Sequence, residues 1–227
     1  MLIRYAFCVE NVEQDEVFHK LESVISEERY NRMQKYHFPI DKTRSLFAEV
    51  LLRYALKKHF AMEGTEIVFE TNEYGKPFLK GEKNLHFNVS HSGNWVICGI
   101  SDQPVGVDVE VIKERNTDIA ERFFSKKEAQ AIKDSDLGND LFYQYWTLKE
   151  SYVKAEGKGM SISFNSFSFA VDGEDISLEL EGKPCHTYQF GVYKIDEETW
   201  AATCSCEPVR GIFEKITISQ ITEMLLV

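Results

Sequence analysis

The sequence predicts an α+β protein in which each half of the chain has one long helix and several antiparallel strands. Two long segments, residues 42–60 and 138–156, carry apolar side chains mostly at helical spacing. Most other apolar segments are short and follow one another through turns, which is typical of antiparallel sheets. With 227 residues, 43% of them hydrophobic, the chain is able to bury a full core as one large domain or two smaller ones.

In the first half, local patterns define the elements. Ile3, Tyr5 and Phe7 alternate along a first strand. An Asn, a Gly and a Pro mark residues 72–77 as a turn. The predicted elements are a strand at 2–9, helices near 13–24, 27–37 and 42–60, and strands at 85–91, 94–101 and 104–111.

The second half repeats this plan. Ser125 and Glu128 form a capping box, in which each side chain bonds the other residue's free backbone N–H, and this predicts a helix start. The long helix stops at Gly157, because glycine readily adopts the backbone conformation that ends a helix. Strands are predicted near 164–171, 175–180, 186–195 and 199–206. The sequence has no repeat or long linker, so we expect halves of 1–104 and 105–227 to pack tightly.

Charge is distributed unevenly along the chain. The net charge of −11 argues against a general nucleic-acid-binding surface. Residues 29–58 nevertheless carry eight Lys and Arg side chains against only Asp41 and Glu49. This basic segment indicates either a site for a small polyanion or a solvated helix face.

We expect a soluble cytoplasmic protein. No apolar stretch is long enough for a transmembrane helix, and the first residues turn acidic too early for a secretion signal. The five cysteines are odd in number and scattered, which indicates reduced thiols rather than a disulfide framework. Neither a membrane nor a nucleic acid is therefore an expected partner.

Two carboxylates stand out in the segment 105–110. Strand alternation puts Asp108 and Glu110 on one face and three valines on the other. Neighbouring carboxylates repel each other, so the pair needs either an exposed face or a cation between them. Mg²⁺ suits such hard oxygen ligands and keeps other positions for water and substrate phosphate. The pattern alone also describes an ordinary edge strand.

A second charged group lies in the segment 146–154. Helical spacing stacks Glu150 with Trp146 and Lys154, whereas Lys149 is among the residues that point elsewhere. A Glu–Lys pair at this spacing is normally a surface salt bridge. The surrounding aromatic side chains indicate instead that these charges are placed for a site.

The third segment, residues 87–93, ends a strand in small polar residues just before a glycine turn. Its hydroxyl groups, backbone N–H groups and His91 are suited to holding phosphate oxygens. Ser90 and His91 are adjacent and face opposite sides of an extended chain, which argues against a nucleophile-and-base pair.

Together with Tyr-Gly-Lys-Pro at 74–77, these segments resemble the motifs of the 4′-phosphopantetheinyl transferases, specifically the surfactin-synthetase-activating type. Val-Gly-Val-Asp-Val-Glu at 105–110 is similar to the family's first acidic motif, and 146–154 matches its W-x-x-K-E-x-x-x-K pattern. The similarity extends over nearly the whole chain. It implies a pseudo-dimer of two similar halves with the active site in the cleft between them. Residues 1–104 would grip coenzyme A, and 105–227 would hold the metal and dock the partner protein.

The resemblance also implies a reaction. The family transfers the 4′-phosphopantetheine arm of coenzyme A to a serine of an acyl or peptidyl carrier protein and releases 3′,5′-ADP. By resemblance, Asp108, Glu110 and Glu150 hold Mg²⁺, with Mn²⁺ as an alternative ion that accepts the same oxygen ligands. Either Glu150 or a bound water is the expected base for the carrier serine, and Lys154 balances charge on the leaving phosphate. The residues expected along the nucleotide and its phosphates are Arg29, Arg32, Arg44, Gly75, Lys76, Pro77, Ser90 and His91.

The carrier protein must dock on the surface. Carriers of this class are acidic and this chain has a net charge of −11, so overall charge cannot steer the two together. We therefore expect an apolar contact beside the cleft, formed by Ile119, Phe123 and Phe124, although Phe123 and Phe124 would equally suit a core. The resemblance further implies a monomer and carriers of nonribosomal peptide or antibiotic biosynthesis.

Two other functions fit parts of the pattern. The same carboxylates would serve an Mg²⁺-dependent hydrolase of a nucleotide diphosphate such as coenzyme A. The acid-rich helix typical of diphosphate hydrolases is, however, missing from the sequence. A non-catalytic module that binds coenzyme A or a carrier would not need all three carboxylates.

Overall fold

The computed structural model describes residues 1–10, 12, 15–113, 117–173 and 175–226. The strands are β1 (Leu2–Cys8), β2 (Phe69–Thr71), β3 (Pro77–Leu79), β4 (His86–Ser92), β5 (Trp95–Ser101), β6 (Val105–Val111), β7 (Phe167–Asp172), β8 (Asp175–Leu180), β9 (Lys183–Cys185), β10 (Gln189–Asp196), β11 (Thr199–Ser205) and β12 (Glu214–Lys215). The helices are α1 (Glu16–Glu22), α2 (Glu27–Met33), α3 (Pro39–Phe60), α4 (Thr117–Phe123), α5 (Lys126–Asp134), α6 (Gly138–Glu156) and α7 (Ile218–Leu225). The α+β class is confirmed.

Helix α3 packs on the four-stranded sheet of the first half, whose order is β12-β1-β5-β4. Pro39 occupies the first turn of α3, where its fixed φ angle suits a helix and its missing N–H costs nothing. Leu46, Phe47 and Leu51 are fully buried against the sheet, and the Phe47 ring stacks on Phe7 with centroids 4.4 Å apart. The first half thus has its own apolar core.

Helix α6 packs on the β10-β11-β6 sheet of the second half. A separate antiparallel sheet, β7-β8-β9, contacts this sheet through β8 and β10. Gly106 in β6 allows α6 to come close, because a Cβ atom there would lie only 2.0 Å from the carbonyl oxygen of Ser151. The helix is therefore pressed against the strand that carries Asp108 and Glu110, which brings its own charged side chains beside them.

The two halves meet through β5 and β6. Trp95 and Ile97 of β5 belong to the same buried apolar cluster as Val107 and Val109 of β6. The predicted tight packing of the halves is consistent with this shared cluster, since its members come from both sides.

The turn after β2 ties the halves together a second time. The Asn72 side chain donates to the carbonyl oxygen of Gly157 at 2.9 Å. The ammonium of Lys76 donates to the carbonyl oxygens of Val105 and Ala155 at 3.2 and 3.1 Å. The turn is thereby fixed to the end of α6.

The end of the chain returns to the first half. Strand β12 pairs in parallel with β1, and α7 packs against α3. Arg4 of β1 also donates to the carbonyl oxygen of Gly211 at 2.9 Å. Residues 214–226 therefore pack with the first half, although the predicted division at residue 104 assigns them to the second.

Most predicted elements are present with small shifts at their ends. Helices α1 and α2 are shorter than predicted, and residues 13–14 of the predicted first helix lie outside the described residues. The short strands β2, β3, β9 and β12 were not predicted, because two or three residues carry too little periodicity. All five cysteines are free thiols. Within the described ranges, none of the helices is long and apolar enough to span a bilayer.

Candidate active site

Asp108 lies at the junction of the halves and is only 2% exposed. Its Oδ1 atom accepts hydrogen bonds from the Ser90 hydroxyl at 2.9 Å and from the Lys154 ammonium at 2.5 Å. Its Oδ2 atom is buried and has no hydrogen-bond partner in the described part of the chain. A buried carboxylate oxygen without a donor is costly, so this atom is available to a cation or a ligand.

Glu110 lies two residues further along β6 on the same face, as predicted. Its Oε2 atom accepts a hydrogen bond from the Ser92 hydroxyl at 2.9 Å. Burial, and then the negative charge of Asp108, raise the pKa of Glu110 to about 7. The three valines that alternate with these acids are fully buried. Because these valines are packed in the core, the strand cannot rotate to move Asp108 and Glu110 away from each other's side of the sheet.

The Glu150 side chain projects from α6 into a cavity. Its carboxylate makes no hydrogen bond or close ion pair with the described part of the chain. Burial, and then the charge of Asp108, raise the pKa of Glu150. Lys154, one turn further on, pairs with Asp108 instead of Glu150. The interpretation of Glu150 and Lys154 as an ordinary surface salt bridge is therefore wrong.

Lys154 carries the positive charge of this cluster. Burial alone would lower its pKa, but the charges of Asp108, Glu150 and Glu110 outweigh this effect and raise it. The side chain therefore stays an ammonium at neutral pH.

The donor set of Asp108, Glu110 and Glu150 fits a hard divalent cation. All three are carboxylates, one has an oxygen without a donor, and the charge of Asp108 disfavours ionisation of the other two. Among the described residues, no group of three or more His, Cys, Asp and Glu side chains already has the arrangement of a metal site. The chemistry of the donors therefore supports a site for a divalent cation. In the structure, the positive charge beside Asp108 is the Lys154 ammonium.

A cleft of about 660 Å³ lies on the first-half side of this cluster. Arg29 and Arg32 of α2 line it, together with Gly75, Pro77 and His91. Five of the eight residues predicted to bind the nucleotide thus surround one cleft. The wall also contains Glu28, Glu49 and Glu70, so the two guanidinium groups, rather than the overall charge of the cleft, are what suits an anionic ligand.

A buried acid orients one of these arginines. The Nε atom of Arg29 lies 3.5 Å from Oε2 of Glu49, which is 2% exposed. Glu49 also accepts hydrogen bonds from the backbone and hydroxyl of Ser26 and from Arg53. Because Arg53 already neutralises Glu49, the charge of Arg29 remains available to a ligand.

A second cavity of about 630 Å³ lies on the second-half side. Glu150 and Lys154 line it beside apolar side chains that include Trp146 and Phe164. Gly75, Pro77 and Asn88 line both cavities. The two cavities are therefore neighbours. The first contains the two arginines, and the second is largely apolar and has the carboxylate cluster beside it.

The other predicted nucleotide ligands are engaged with the protein. Lys76 bonds two carbonyl oxygens between the halves, and burial lowers its pKa to about 8. Arg44 donates to the carbonyl oxygen of Gly93 and pairs with Asp41. Ser90 bonds Asp108 and Lys154. Their contact with a nucleotide stays a prediction.

The surroundings of His91 favour its neutral form. Desolvation in the cleft, and then the positive charge of Arg44, lower the pKa of His91. A neutral imidazole is able to donate one hydrogen bond to a phosphate or to a nucleobase.

Lys149 is a structural lysine that the sequence did not reveal. It is fully buried, donates to the carbonyl oxygens of Phe164 and Phe167 at 2.8 Å each, and lies 3.0 Å from Oε2 of Glu128. Glu128 also accepts from the backbone N–H of Phe169. This buried pair fixes the segment around Phe164, which forms one wall of the second cavity. The capping-box position of Glu128 was the one available signal, because it placed this acid at a helix start.

The three residues predicted to dock the carrier differ in exposure. Phe123 is 43% exposed and lines the second cavity. Phe124 is 3% exposed and stacks on Phe142 with ring centroids 5.3 Å apart. Ile119 is partly buried against the same core. Burial excludes Phe124 from the predicted docking surface, because a core ring cannot reach a partner.

Comparison with known proteins identifies the family of this chain. The family model described as the 4′-phosphopantetheinyl transferase superfamily matches residues 104–205, and the model of the N-terminal part of 4′-phosphopantetheinyl transferase matches residues 12–103. The 4′-phosphopantetheinyl transferase Sfp of Bacillus subtilis (strain 168) is 38% identical over 209 residues, which cover 89% of this chain and 91% of that protein. The chain belongs to the 4′-phosphopantetheinyl transferase family.

A second relative supports the same assignment. The 4′-phosphopantetheinyl transferase gsp of Aneurinibacillus migulanus is 42% identical over 215 residues, which cover 92% of this chain and 85% of that protein. Among solved structures, the holo-[acyl-carrier-protein] synthase of Thermotoga maritima is 20% identical with a TM-score of 0.37, over 48% of this chain and 65% of that one. The predicted enzyme class, phosphopantetheinyl transferase, is confirmed by the family models and the relatives.

Proposed function

We propose that this phosphopantetheinyl transferase moves the 4′-phosphopantetheine arm of coenzyme A to a serine of an acyl or peptidyl carrier protein. Asp108, Glu110 and Glu150 hold Mg²⁺ for this reaction. The observation that carries the residue assignment is the buried Asp108 with an oxygen that lacks a donor, beside two further carboxylates. All these groups belong to one chain, so we also propose that the enzyme works as a monomer.

The chemistry requires neutralisation of charge and alignment of the attacking oxygen. The serine oxygen of the carrier forms a bond to the phosphorus that bears the pantetheine arm, and the bond from that phosphorus to 3′,5′-ADP breaks. When bound, Mg²⁺ supplies positive charge to the diphosphate. Glu150, which has no hydrogen-bond donor from the described chain and faces the second cavity, accepts the serine proton. Lys154 keeps its proton and compensates charge on the departing phosphate.

The first cleft holds the nucleotide in this proposal. Arg29 and Arg32 bind the 3′-phosphate, since a guanidinium is able to hold a phosphate with two parallel hydrogen bonds. Gly75 and Pro77 offer backbone and a flat apolar surface to the nucleoside at the junction with the second cavity. The pantetheine arm then extends toward Glu150.

The test of this proposal is the intact mass of an apo carrier protein after incubation with the enzyme, coenzyme A and Mg²⁺. We expect a gain equal to one phosphopantetheine group, and EDTA should abolish it. Cleavage of coenzyme A without a mass gain on several carriers would favour the hydrolase. Binding of coenzyme A without cleavage would favour a non-catalytic module.

Phe123 should contribute to carrier docking. Replacing Phe123 by Ala is expected to raise the KM for the carrier by roughly five-fold or more, because an exposed aromatic side chain beside the reaction site is a typical interface anchor. The KM for coenzyme A and the midpoint of thermal unfolding should not change. Ile212→Ala is the matched control, since Ile212 is 68% exposed and lines neither cavity. Equal carrier KM values for both variants would remove Phe123 from the docking surface.

A further inference from the structure

Strands β4 and β6 are edge strands of two different sheets, and side chains join them instead of a backbone ladder. The Oδ1 atom of Asn88 accepts from the backbone N–H of Val107 at 2.8 Å. Two residues along, the Ser90 hydroxyl bonds Asp108, and two residues further the Ser92 hydroxyl bonds Glu110. Because both strands alternate with period two, Asn88, Ser90 and Ser92 share one face of β4, and each of them meets a partner on β6.

The direction of each serine hydrogen bond is fixed. The Lys154 ammonium donates to the Ser90 oxygen at 3.1 Å, so the single hydroxyl proton of Ser90 is directed to Asp108. The backbone N–H of Val111 donates to the Ser92 oxygen at 3.3 Å, so the proton of Ser92 is directed to Glu110. Each hydroxyl thus accepts from a donor outside the carboxylate pair and donates to one carboxylate.

We propose that Ser92 is a positioning residue that holds Glu110 in the orientation in which it binds the divalent cation. The segment 87–93 was expected to hold phosphate, and Ser92 had no expected role at the ion. The inference rests on the proposed function, because it needs Glu110 to be an ion ligand. Groups that orient a metal ligand through a hydrogen bond typically contribute about 10–100-fold to metal affinity.

The effect of losing this hydroxyl follows from the geometry. Without it, the half-buried Glu110 side chain has no hydroxyl to fix its rotamer, and the charge of Asp108 repels it. The carboxylate must then be reoriented when the cation arrives. Ser92→Ala should therefore weaken binding of the ion without removing a ligand. Ser92→Thr, which keeps the hydroxyl, should restore that binding.

The test is a titration with Mn²⁺ alone, followed by electron paramagnetic resonance, on the full-length protein and its variants. We expect Ser92→Ala to raise the Kd for Mn²⁺ about 10-fold and Ser92→Thr to recover most of that loss. The Mg²⁺ concentration for half-maximal transfer should rise by a similar factor, while kcat at saturating Mg²⁺ stays near that of the parent. The matched control is Ser168→Ala, which removes a serine that donates across strands to Glu179 in another sheet.

Glu110→Gln separates the two hypotheses. One outcome is that the parent binds Mn²⁺, that Glu110→Gln weakens this binding and that Ser92→Ala does not. In that case the inference about Ser92 is wrong and the proposed ion site stands. If Glu110→Gln leaves the Kd for Mn²⁺ unchanged, the ion site itself is wrong. Equal losses in Ser92→Ala and Ser92→Thr would also overturn the inference, because they would reflect packing rather than the hydroxyl.

Discussion

Replacing Glu150 by Gln should lower the rate of phosphopantetheine transfer by about 10²–10⁴-fold, the usual contribution of a positioned general base. Glutamine has nearly the same volume and still offers an oxygen to a cation, but it cannot accept a proton from the carrier serine. Coenzyme A binding should survive, since the proposed nucleotide contacts lie in the other cleft. Single-turnover transfer and calorimetric titration with coenzyme A measure the two effects separately.

Glu156→Gln is the matched control for this variant. Glu156 is on the same helix and partly buried, and it accepts a hydrogen bond from the Tyr188 hydroxyl rather than facing either cavity. Transfer by Glu156→Gln should stay near the parent rate. A Glu150→Gln variant with the parent rate would show that another group, such as a bound water, takes the serine proton.

The largest effect on stability is expected at Lys149. Replacing Lys149 by Met should reduce the free energy of unfolding by about 3–5 kcal/mol, because Glu128 would remain as a buried charge without its partner. The carbonyl oxygens of Phe164 and Phe167 would lose their donor as well. Equilibrium unfolding in urea measures the change.

Two further variants show whether the cost comes from the unpaired charge. The double variant Glu128→Gln/Lys149→Met should be more stable than Lys149→Met alone, since the buried charge is gone and an acceptor for Phe169 remains. Lys133→Met removes an exposed lysine 3.7 Å from Glu121 and should change stability by less than about 1 kcal/mol. A Lys149→Met variant as stable as Lys133→Met would contradict the structural role.

The sequence predicted the elements and shared faces that follow from periodicity. It did not predict side-chain partners that are set by contacts between distant segments. The two long helices and the central strands are present because their apolar spacing is strong, and Asp108 and Glu110 share a face because strands alternate. The partner of Lys154 was not predictable, since Glu150 is one turn away in sequence whereas Asp108 approaches only because Gly106 lets the helix close on β6.

Lys149 and Ser92 illustrate the same limit. Both lie inside segments that the sequence marked as functional, yet a motif does not distinguish a side chain directed into the core from one directed into a cavity. Lys149 is buried against Glu128, more than 20 residues earlier in the chain, and Ser92 meets Glu110 across two sheets. The assignment of Phe124 failed for a related reason, because adjacent phenylalanines on a helix end face different surroundings.

The return of β12 to β1 has a consequence for how this enzyme is able to move. The chain enters the second half after β5 and returns to the first half as β12, and both of these strands pair with β1. Arg4 of β1 also bonds the segment just before β12. A domain joined by one connection is able to rotate about a single hinge. Two connections restrain that rotation. Such a closed connection favours a rigid frame, so that adaptation to carriers of different shape falls to surface side chains and to the turns that border the two cavities.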